Sequence, residues 1–434
     1  MMKKIAEVSE QLKGYIDGKS GLKAQYTVSE KETREITMED GDFTLFRTLY
    51  DESADIKVIK DNRVGSASVN KTDEESLRGA LDTAILSAQS GTEDTCFDIA
   101  SGMEAEYFEI GVLEPDIDRL MMRARELSED ITKRHPKVKV MQMIFSHVKQ
   151  HSIYRNTNGS LDEVEKGYYD VMVEFAGNDG VNSTGIAGSG MKTKDLEHPF
   201  IELGSMERDL QDAEDSLHTV AAKGKFEGEV IFTPNCAAQM MYFALANFIG
   251  DSVILDQTGL WAGKIGQKVA SEKLSIGMKP WDERIVEHEV HTADGFRSED
   301  YMAIENGVLK SYLTSIYVAN KRKVERAKNS GFDIVIEGGD TPYTQMVKKM
   351  KRGLIVGAVS CGFPSANGEL SGVAKNSFYV ENGEIKGAVM ETMINCNLAD
   401  MLNHIVDISK EVLCDGTMVM PYIGVDKVVI SGKE

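Results

Sequence analysis

The chain has 434 residues, of which 41% are hydrophobic, and it carries a formal net charge of -21. This length predicts two or three domains with a sizeable core, and the hydrophobic content argues against wholesale disorder. Because a nucleic-acid binder needs a basic surface to displace counterions from phosphates, the acidic excess argues against direct binding to DNA.

The N-terminal part of the chain predicts two helices around a meander of strands. Residues 1–19 place apolar side chains at helical spacing, which predicts an amphipathic helix and not a signal peptide. Residues 23–70 alternate apolar and polar side chains between turn signals, which predicts an antiparallel meander. The carboxylates after Asp73 favour the start of a second helix, and the acidic residues 91–114 are predicted to be a linker.

The rest of the chain predicts strands interrupted by single helices. Residues 116–133 and 207–222 have helical periodicity, and Asn158-Gly159 marks a hairpin turn between the strands that separate them. A further strand is followed by Pro234, which leads into a helix with a broad apolar face. The sum is an α+β fold, in which helix-flanked antiparallel sheets are followed by a β-rich C-terminal domain.

The organisation of the chain predicts three units in a soluble protein. We expect an N-terminal α+β domain over residues 1–114, a middle α+β domain over residues 115–222 that packs with the first or stands apart, and a C-terminal domain over residues 223–434. No apolar run is long enough to span a bilayer, so no membrane association is expected. The five cysteines include no CxxC pair, so a disulfide framework is not supported and a reducing cytoplasm fits best.

Residues 352–402 hold the most distinctive pattern. This glycine-rich stretch contains Asn382-Gly383 between alternating runs, which predicts a type I′ turn with positive φ at both central residues. Its order is an apolar strand, a glycine-rich turn, Asn-Gly-Glu-Leu-Ser at residues 367–371, the hairpin, and Ile-Asn-Cys-Asn-Leu at residues 394–398. That order resembles the C-terminal domain of the PmbA/TldD family, whose members are subunits of a bacterial and archaeal metalloprotease.

The resemblance extends over almost the whole chain and is to the PmbA branch of the family, also called TldE. No single matching motif is strong, but the motifs occur in the same order along the chain. The matching segments are residues 35–43, 57–70, 73–89, 154–160, 231–271, 295–321 and 352–402.

The family also has a zinc motif that this chain lacks. TldD-type subunits carry H-E-x-x-x-H on the helix corresponding to residues 237–250, where imidazoles hold Zn²⁺ and a glutamate acts as general base. That segment here contains no histidine and no glutamate. We therefore expect no cofactor in this chain and zinc in a TldD-type partner. The face aligned with the motif carries Phe243, Ala244, Ala246, Asn247 and Phe248.

Two histidines and a cysteine are candidates for chemistry of the chain's own. His288 and His291 are candidate metal ligands, but they stand at i and i+3 in a segment typical of an edge strand or loop, and a solvated loop is the alternative. Cys236 opens a helix, whose dipole lowers a thiol pKa, although no histidine lies close in sequence to act as its base. No catalytic or cofactor-binding residue is assigned.

Three functional hypotheses follow. In the first, the chain is the non-zinc subunit of a TldD/TldE-type metalloprotease that cleaves peptides or unfolded proteins, with a TldD-type subunit as partner. In the second, it is an autonomous metal- or Cys-dependent peptidase. In the third, it is a homodimeric peptide-binding or scaffold protein, and a homodimer is also an alternative assembly of the lone chain. The family has been described as modulating DNA gyrase, and the acidic charge argues against direct action on DNA.

Overall fold

The structure is a computed structural model, which describes residues 5–432. The first predicted helix begins in sequence at Met1, and residues 1–4 lie outside the described range. The N-terminal elements are α1 (Ile5–Asp17), β1 (Leu22–Glu39), β2 (Asp42–Lys60), β3 (Arg63–Val69), α2 (Glu74–Ser90), β4 (Glu106–Gly111), α3 (Ile117–Arg134), β5 (Val138–Asn156), β6 (Leu161–Gly177), β7 (Ala187–Thr193), a 3-10 helix (Phe200–Glu202) and α4 (Met206–Asp215).

The C-terminal elements are shorter and mostly strands. The helices are α5 (Pro234–Ile249), α6 (Asp251–Leu255), α7 (Ile316–Arg322), α8 (Tyr343–Lys349) and α9 (Leu398–Asn403). The strands are β8 (Thr219–Val220), β9 (Lys225–Phe232), β10 (Ile276–Met278), β11 (Tyr301–Glu305), β12 (Val308–Leu309), β13 (Ile334–Val335), β14 (Arg352–Val356), β15 (Ala358–Ser360), β16 (Glu369–Lys375), β17 (Phe378–Glu381), β18 (Glu384–Val389), β19 (Met393–Asn397), β20 (Ile405–Cys414) and β21 (Val419–Ser431).

The N-terminal elements form one 7-stranded sheet with the order β3-β2-β1-β5-β6-β4, and β7 pairs with β6. All neighbours in this sheet are antiparallel except β4, which runs parallel to β6. Helices α1 and α2 bury apolar side chains such as Leu12 and Leu81 against one end of the long strands. Helices α3 and α4 cover the other end, where Leu120 and Leu210 lie in a second core cluster.

The C-terminal elements form a 14-stranded sheet whose main path runs β12-β11-β10-β13-β21-β9-β14-β17-β18-β8. Strand β21 also pairs with β19 and β20, and β16 lies between β15 and β19. Helix α5 packs on this sheet and contributes Met240, Leu245 and Phe248 to the largest core cluster. The α+β class with a β-rich C-terminal part is therefore confirmed.

Local signals in the sequence account for many of these elements. Asp73 caps α2 by accepting a hydrogen bond from Ser76 N, as the carboxylate-rich start predicts. The hairpin between β17 and β18 turns at Asn382 and Gly383, whose φ values of 50° and 76° are both positive, so the type I′ prediction is confirmed. The predicted turn at Asn158-Gly159 also joins two paired strands, β5 and β6.

Two local predictions are wrong. The segment predicted as a linker contains β4, which is held in the sheet by parallel pairing with β6. The helix predicted over residues 207–222 ends at Asp215, because Thr219 and Val220 leave it to pair with β18. In both places tertiary strand pairing overrides the local pattern.

Residue 114 is the predicted boundary between the first two units. Strands from both sides of it lie in the same N-terminal sheet, in which β1 pairs with β5 along most of its length. The boundaries of the three units stay a prediction. Within residues 5–432, no helix combines the length and apolar character needed to cross a membrane.

Candidate functional site

Helix α5 covers the segment for which the resemblance implies a zinc motif in TldD-type subunits, and its side chains include no histidine and no carboxylate. It begins directly after β9, with Pro234 in its first turn, where the missing N–H costs nothing. None of its side chains is an imidazole or a carboxylate. Its side-chain amides belong to Asn235, Gln239 and Asn247. A site of that type needs two imidazoles and a glutamate, and the one sulfur on this helix that belongs to a cysteine, that of Cys236, is buried, so α5 does not fit it.

The first half of α5 is tied to the sheet by one glutamine. Gln239 Nε2 donates to the carbonyl oxygen of Val359 at 3.1 Å, and Gln239 Oε1 accepts from the backbone N–H of Val359 at 3.3 Å. Val359 lies in β15, which pairs with β16 on its other side. The glutamine amide therefore occupies a backbone edge that a neighbouring strand would otherwise bond.

The second half of α5 contacts the loop between β15 and β16. Asn247 Nδ2 donates to Ser365 O at 2.9 Å, and the rings of Phe243 and Phe363 meet edge to face with centroids 5.2 Å apart. Phe363 is 59% exposed and Tyr242 on the helix is 48% exposed. An exposed aromatic surface thus lies beside the edge of β15, and such patches often mark binding sites.

Three cysteines lie around the same helix, and none has the environment of a nucleophile. Cys236 is buried, and burial raises the pKa of its thiol far above the ordinary value. Burial also raises the pKa of Cys396 to about 12 and raises that of Cys361. The lowering of the Cys236 pKa by the helix dipole, expected from its position, is thus outweighed by desolvation, and these thiols stay protonated at neutral pH.

His288 and His291 lie in the loop between β10 and β11, both are only partly exposed, and their rings meet different partners. His291 donates from Nε2 to Asp162 Oδ2 at 2.7 Å. His288 donates from Nδ1 to Pro280 O at 2.6 Å and stacks on Trp281. Each imidazole therefore contacts its own set of neighbours. The role of His288 and His291 as metal ligands stays a prediction.

Asp162 anchors this loop to the N-terminal sheet. Its side chain is fully buried, and besides His291 it accepts two hydrogen bonds from Arg297, at 2.5 Å to Oδ1 and 3.0 Å to Oδ2. Burial acts to raise the pKa of Asp162, but the bonds from His291 and Arg297 outweigh it and lower the pKa. The group is an ionised, doubly supported carboxylate at the junction of the two sheets.

A cavity of about 440 Å³ opens between the N-terminal sheet and the loop that carries the two histidines. Lys166 lines it, and burial lowers the pKa of this lysine, although Glu287 and other nearby carboxylates act in the opposite direction. Gln25 also lines it, with its Nε2 bonded to Ala293 O and its buried Oε1 without a hydrogen-bond partner. Sequence reasoning missed this cavity, because its walls come from distant parts of the chain.

One group of side chains in the described part of the chain has ligand atoms close enough to share a metal ion. The ligand atoms of His151, Glu163 and Glu165 all lie within 4.8 Å of one another. His151 Nε2 is already hydrogen-bonded to Glu163 Oε1 at 2.8 Å, so this ring nitrogen has a partner without an ion. The spacing of Glu163 and Glu165 places both side chains on one face of a strand. The pairing of that strand with β5, which brings His151 beside them, cannot be read from the sequence.

Family models and curated relatives both match this chain to PmbA/TldA-type metallopeptidases. Residues 224–432 match the model of the PmbA/TldA metallopeptidase C-terminal domain, and residues 27–88 match that of the PmbA/TldA metallopeptidase domain 1. A metalloprotease PmbA homolog of Haemophilus influenzae is 22% identical over 95% of this chain and 93% of its own length. A metalloprotease of Methanocaldococcus jannaschii is 22% identical over 89% of this chain and 90% of its own.

A solved structure has the same fold. The crystal structure of TldE from Thermococcus kodakarensis superimposes with a TM-score of 0.80 and covers 98% of this chain and 99% of its own. The two sequences are 21% identical, so this likeness concerns the fold alone.

Proposed function

This chain belongs to the PmbA/TldD family, and from that premise we propose that it is the non-zinc, TldE/PmbA-like subunit of a TldD/TldE-type metalloprotease. In this role it assembles with a TldD-type subunit, and the pair cleaves peptides or unfolded proteins. Zinc resides in the partner, and this chain contributes surface that holds the substrate. The site of action is the cytoplasm.

The observation that carries the proposal is the chemistry of α5. Metal hydrolysis needs ligands that leave one zinc position open and a general base beside it. Helix α5 supplies neither, since its buried side chains are apolar except for Cys236 and Asn247, and it has no histidine and no carboxylate. A chain of this family that retains the fold but lacks these donors is best explained as the supporting member of a pair.

The aromatic surface beside β15 supports a role in holding substrate. An unfolded peptide presents backbone groups and apolar side chains, which exposed strand edges and aromatic rings bind. Tyr242 and Phe363 are exposed beside such an edge, and Phe243 packs against Phe363. Gln239 already bonds the edge at Val359, so we propose that the substrate contacts the rings and the loop and does not extend β15 at that residue.

The autonomous-peptidase alternative has less support from the same region. A cysteine nucleophile acts as a thiolate, and burial raises the pKa of Cys236. A metal held by His288 and His291 would have to compete with the hydrogen bonds to Pro280 O and Asp162. Both alternatives need groups that the fold already uses for packing or anchoring.

Co-expression tests the proposal. The partner to use is a chain from the same genome with H-E-x-x-x-H, and only one of the two chains carries an affinity tag. We expect the untagged chain to co-purify in equal amount, and a tagged unrelated acidic protein serves as the control. Failure to co-purify in either tagging arrangement contradicts the proposed assembly.

A further inference from the structure

Strand β2 has a long free edge. Along one side it pairs with β1 from the hairpin tip to its end. On the other side β3 pairs only with the part of β2 from Ala54 to Lys60. In the described residues no other strand reaches the segment from Leu45 to Ser53, so its outward N–H and C=O groups have no strand partner.

The side chains of this edge segment are unusual for an exposed strand. Leu45 is 39%, Phe46 55%, Leu49 40% and Tyr50 63% exposed. Natural proteins protect edge strands with lysines, prolines or bulges. Between Leu45 and Ser53 there is no lysine and no proline, whereas Arg47, Asp51 and Glu52 are charged, and the register with β1 shifts immediately before Leu45. The exposed apolar side chains make this open edge suited to pairing with another strand, and its charges restrict which strand and which register fit.

We propose that a second copy of this chain pairs with this edge, antiparallel and across a two-fold axis at Leu49, so that the two N-terminal sheets become one. The proposal concerns the lone chain and does not depend on the proposed function. Closed two-fold pairing uses the same surface on both copies, and it satisfies the open edge of each. In this register each residue of the free segment finds a partner, because Leu45 faces Ser53 and Leu49 faces its own equivalent.

Charge complementarity selects the second copy and this register. Arg47 is the one charged residue between Asp42 and Asp51. With Leu49 on the axis, Arg47 of each copy lies directly opposite Asp51 of the other, which gives two identical opposite-charge pairs. A register with Arg47 on the axis would place two arginines opposite each other, and like charges in that position destabilise a sheet. Phe46 then lies diagonal to Tyr50 of the other copy, within reach of an aromatic contact.

A charge-swap experiment tests this arrangement by sedimentation of the full chain. Arg47→Asp and Asp51→Arg each place like charges opposite each other, and we expect each to weaken dimerisation at least about tenfold. An equimolar mixture of the two variants restores both opposite-charge pairs, as does the double variant, so both are expected to dimerise as the wild type does. Lys19→Asp and Asp82→Arg, which make the same charge changes at an exposed ion pair elsewhere, are the controls.

The outcomes separate loss of dimerisation from loss of folding. Arg47 also bonds Glu35 in its own chain at 2.9 Å, so thermal melts are recorded to show that each variant is folded. The restored dimer in the mixture is a readout that misfolding cannot produce. A wild type that sediments as a monomer at every concentration overturns the proposal, and so does an Arg47→Asp variant that dimerises as strongly as the wild type.

Discussion

The side-chain amide of Gln239 forms one hydrogen bond with the backbone C=O of Val359 and another with its N–H, so that a side chain of α5 completes the open edge of β15. Val359 is only 3% exposed, so water does not readily replace either bond. Helix α5 is therefore fixed to the sheet by an amide, and its orientation follows from this contact and from the packing of its apolar face.

We predict that Gln239→Ala lowers the free energy of unfolding by about 1–3 kcal/mol, because it leaves a buried N–H and a buried C=O of Val359 unpaired. Urea denaturation measures this. Gln89→Ala on the exposed face of α2 is the matched control and should change stability by less than about 0.5 kcal/mol. If the two substitutions lower the free energy of unfolding equally, the hydrogen bonds between Gln239 and Val359 contribute no measurable stability, and the prediction is wrong.

We predict that Gly368→Ala destabilises the loop that faces α5, whereas Gly362→Ala in the same loop does not. Gly368 has a φ of +90°, and a Cβ there would lie 2.9 Å from Phe248 Cζ. The substitution should cost about 1–3 kcal/mol from backbone strain and displacement of the ring. At Gly362 a Cβ meets nothing within 4 Å. Chemical denaturation of the two variants compares them, and similar midpoints would contradict the strain argument.

We predict that His291→Ala weakens the junction between the two sheets without changing the zinc content of the purified chain. The substitution removes a hydrogen bond to the fully buried carboxylate of Asp162, which should cost about 1.5–3 kcal/mol. His218→Ala, at an exposed histidine, is the control. Elemental analysis provides the second readout, and stoichiometric zinc that disappears in His291→Ala would support an autonomous metal-dependent enzyme instead.

We predict that Asp333 makes a contribution to the stability of the chain that is lost as the pH rises through about 6. Burial, with Glu289 and Glu287 nearby, raises the pKa of Asp333 to about 6, while Lys166 acts in the opposite direction and Asp300 adds to the rise. A raised folded-state pKa means that the contribution is fully present below the unfolded pKa and is lost as pH rises through the folded pKa.

Asp333→Asn should therefore be more stable than the wild type at pH 8 by about 1–3 kcal/mol and nearly equal to it at pH 4. Urea denaturation across this pH range measures the difference. Asp82→Asn, at an exposed ion pair, should run parallel to the wild type throughout. A difference between Asp333→Asn and the wild type that does not change with pH would exclude this carboxyl as the source.

The elements that the sequence predicts well are those with local causes. The cap at Asp73, the turn at Asn382-Gly383 and the helix after Pro234 each depend on a few neighbouring residues, and the structure has all three. Strand β4 has no such signal, because its place in the sheet comes from pairing with β6. The early end of α4 has the same origin, since Thr219 leaves the helical pattern to pair with β18.

The candidate site divides in the same way. The absence of histidine and glutamate from α5 is readable from the sequence alone, since one short segment contains all the relevant positions. The bond between Gln239 and Val359 joins residues 120 positions apart, and the group of His151 and Glu163 depends on strand register. Neither contact has a local pattern, so only the structure reveals it.

The central claim, that this chain supports a zinc-bearing partner, is tested most directly by peptide hydrolysis. An unfolded peptide is incubated with this chain alone, with a TldD-type partner alone, and with an equimolar mixture, and zinc is measured in each sample. We predict hydrolysis well above that of either chain only in the mixture, with the zinc carried by the partner. Full activity of the partner alone, or zinc-dependent activity of this chain alone, would contradict the claim.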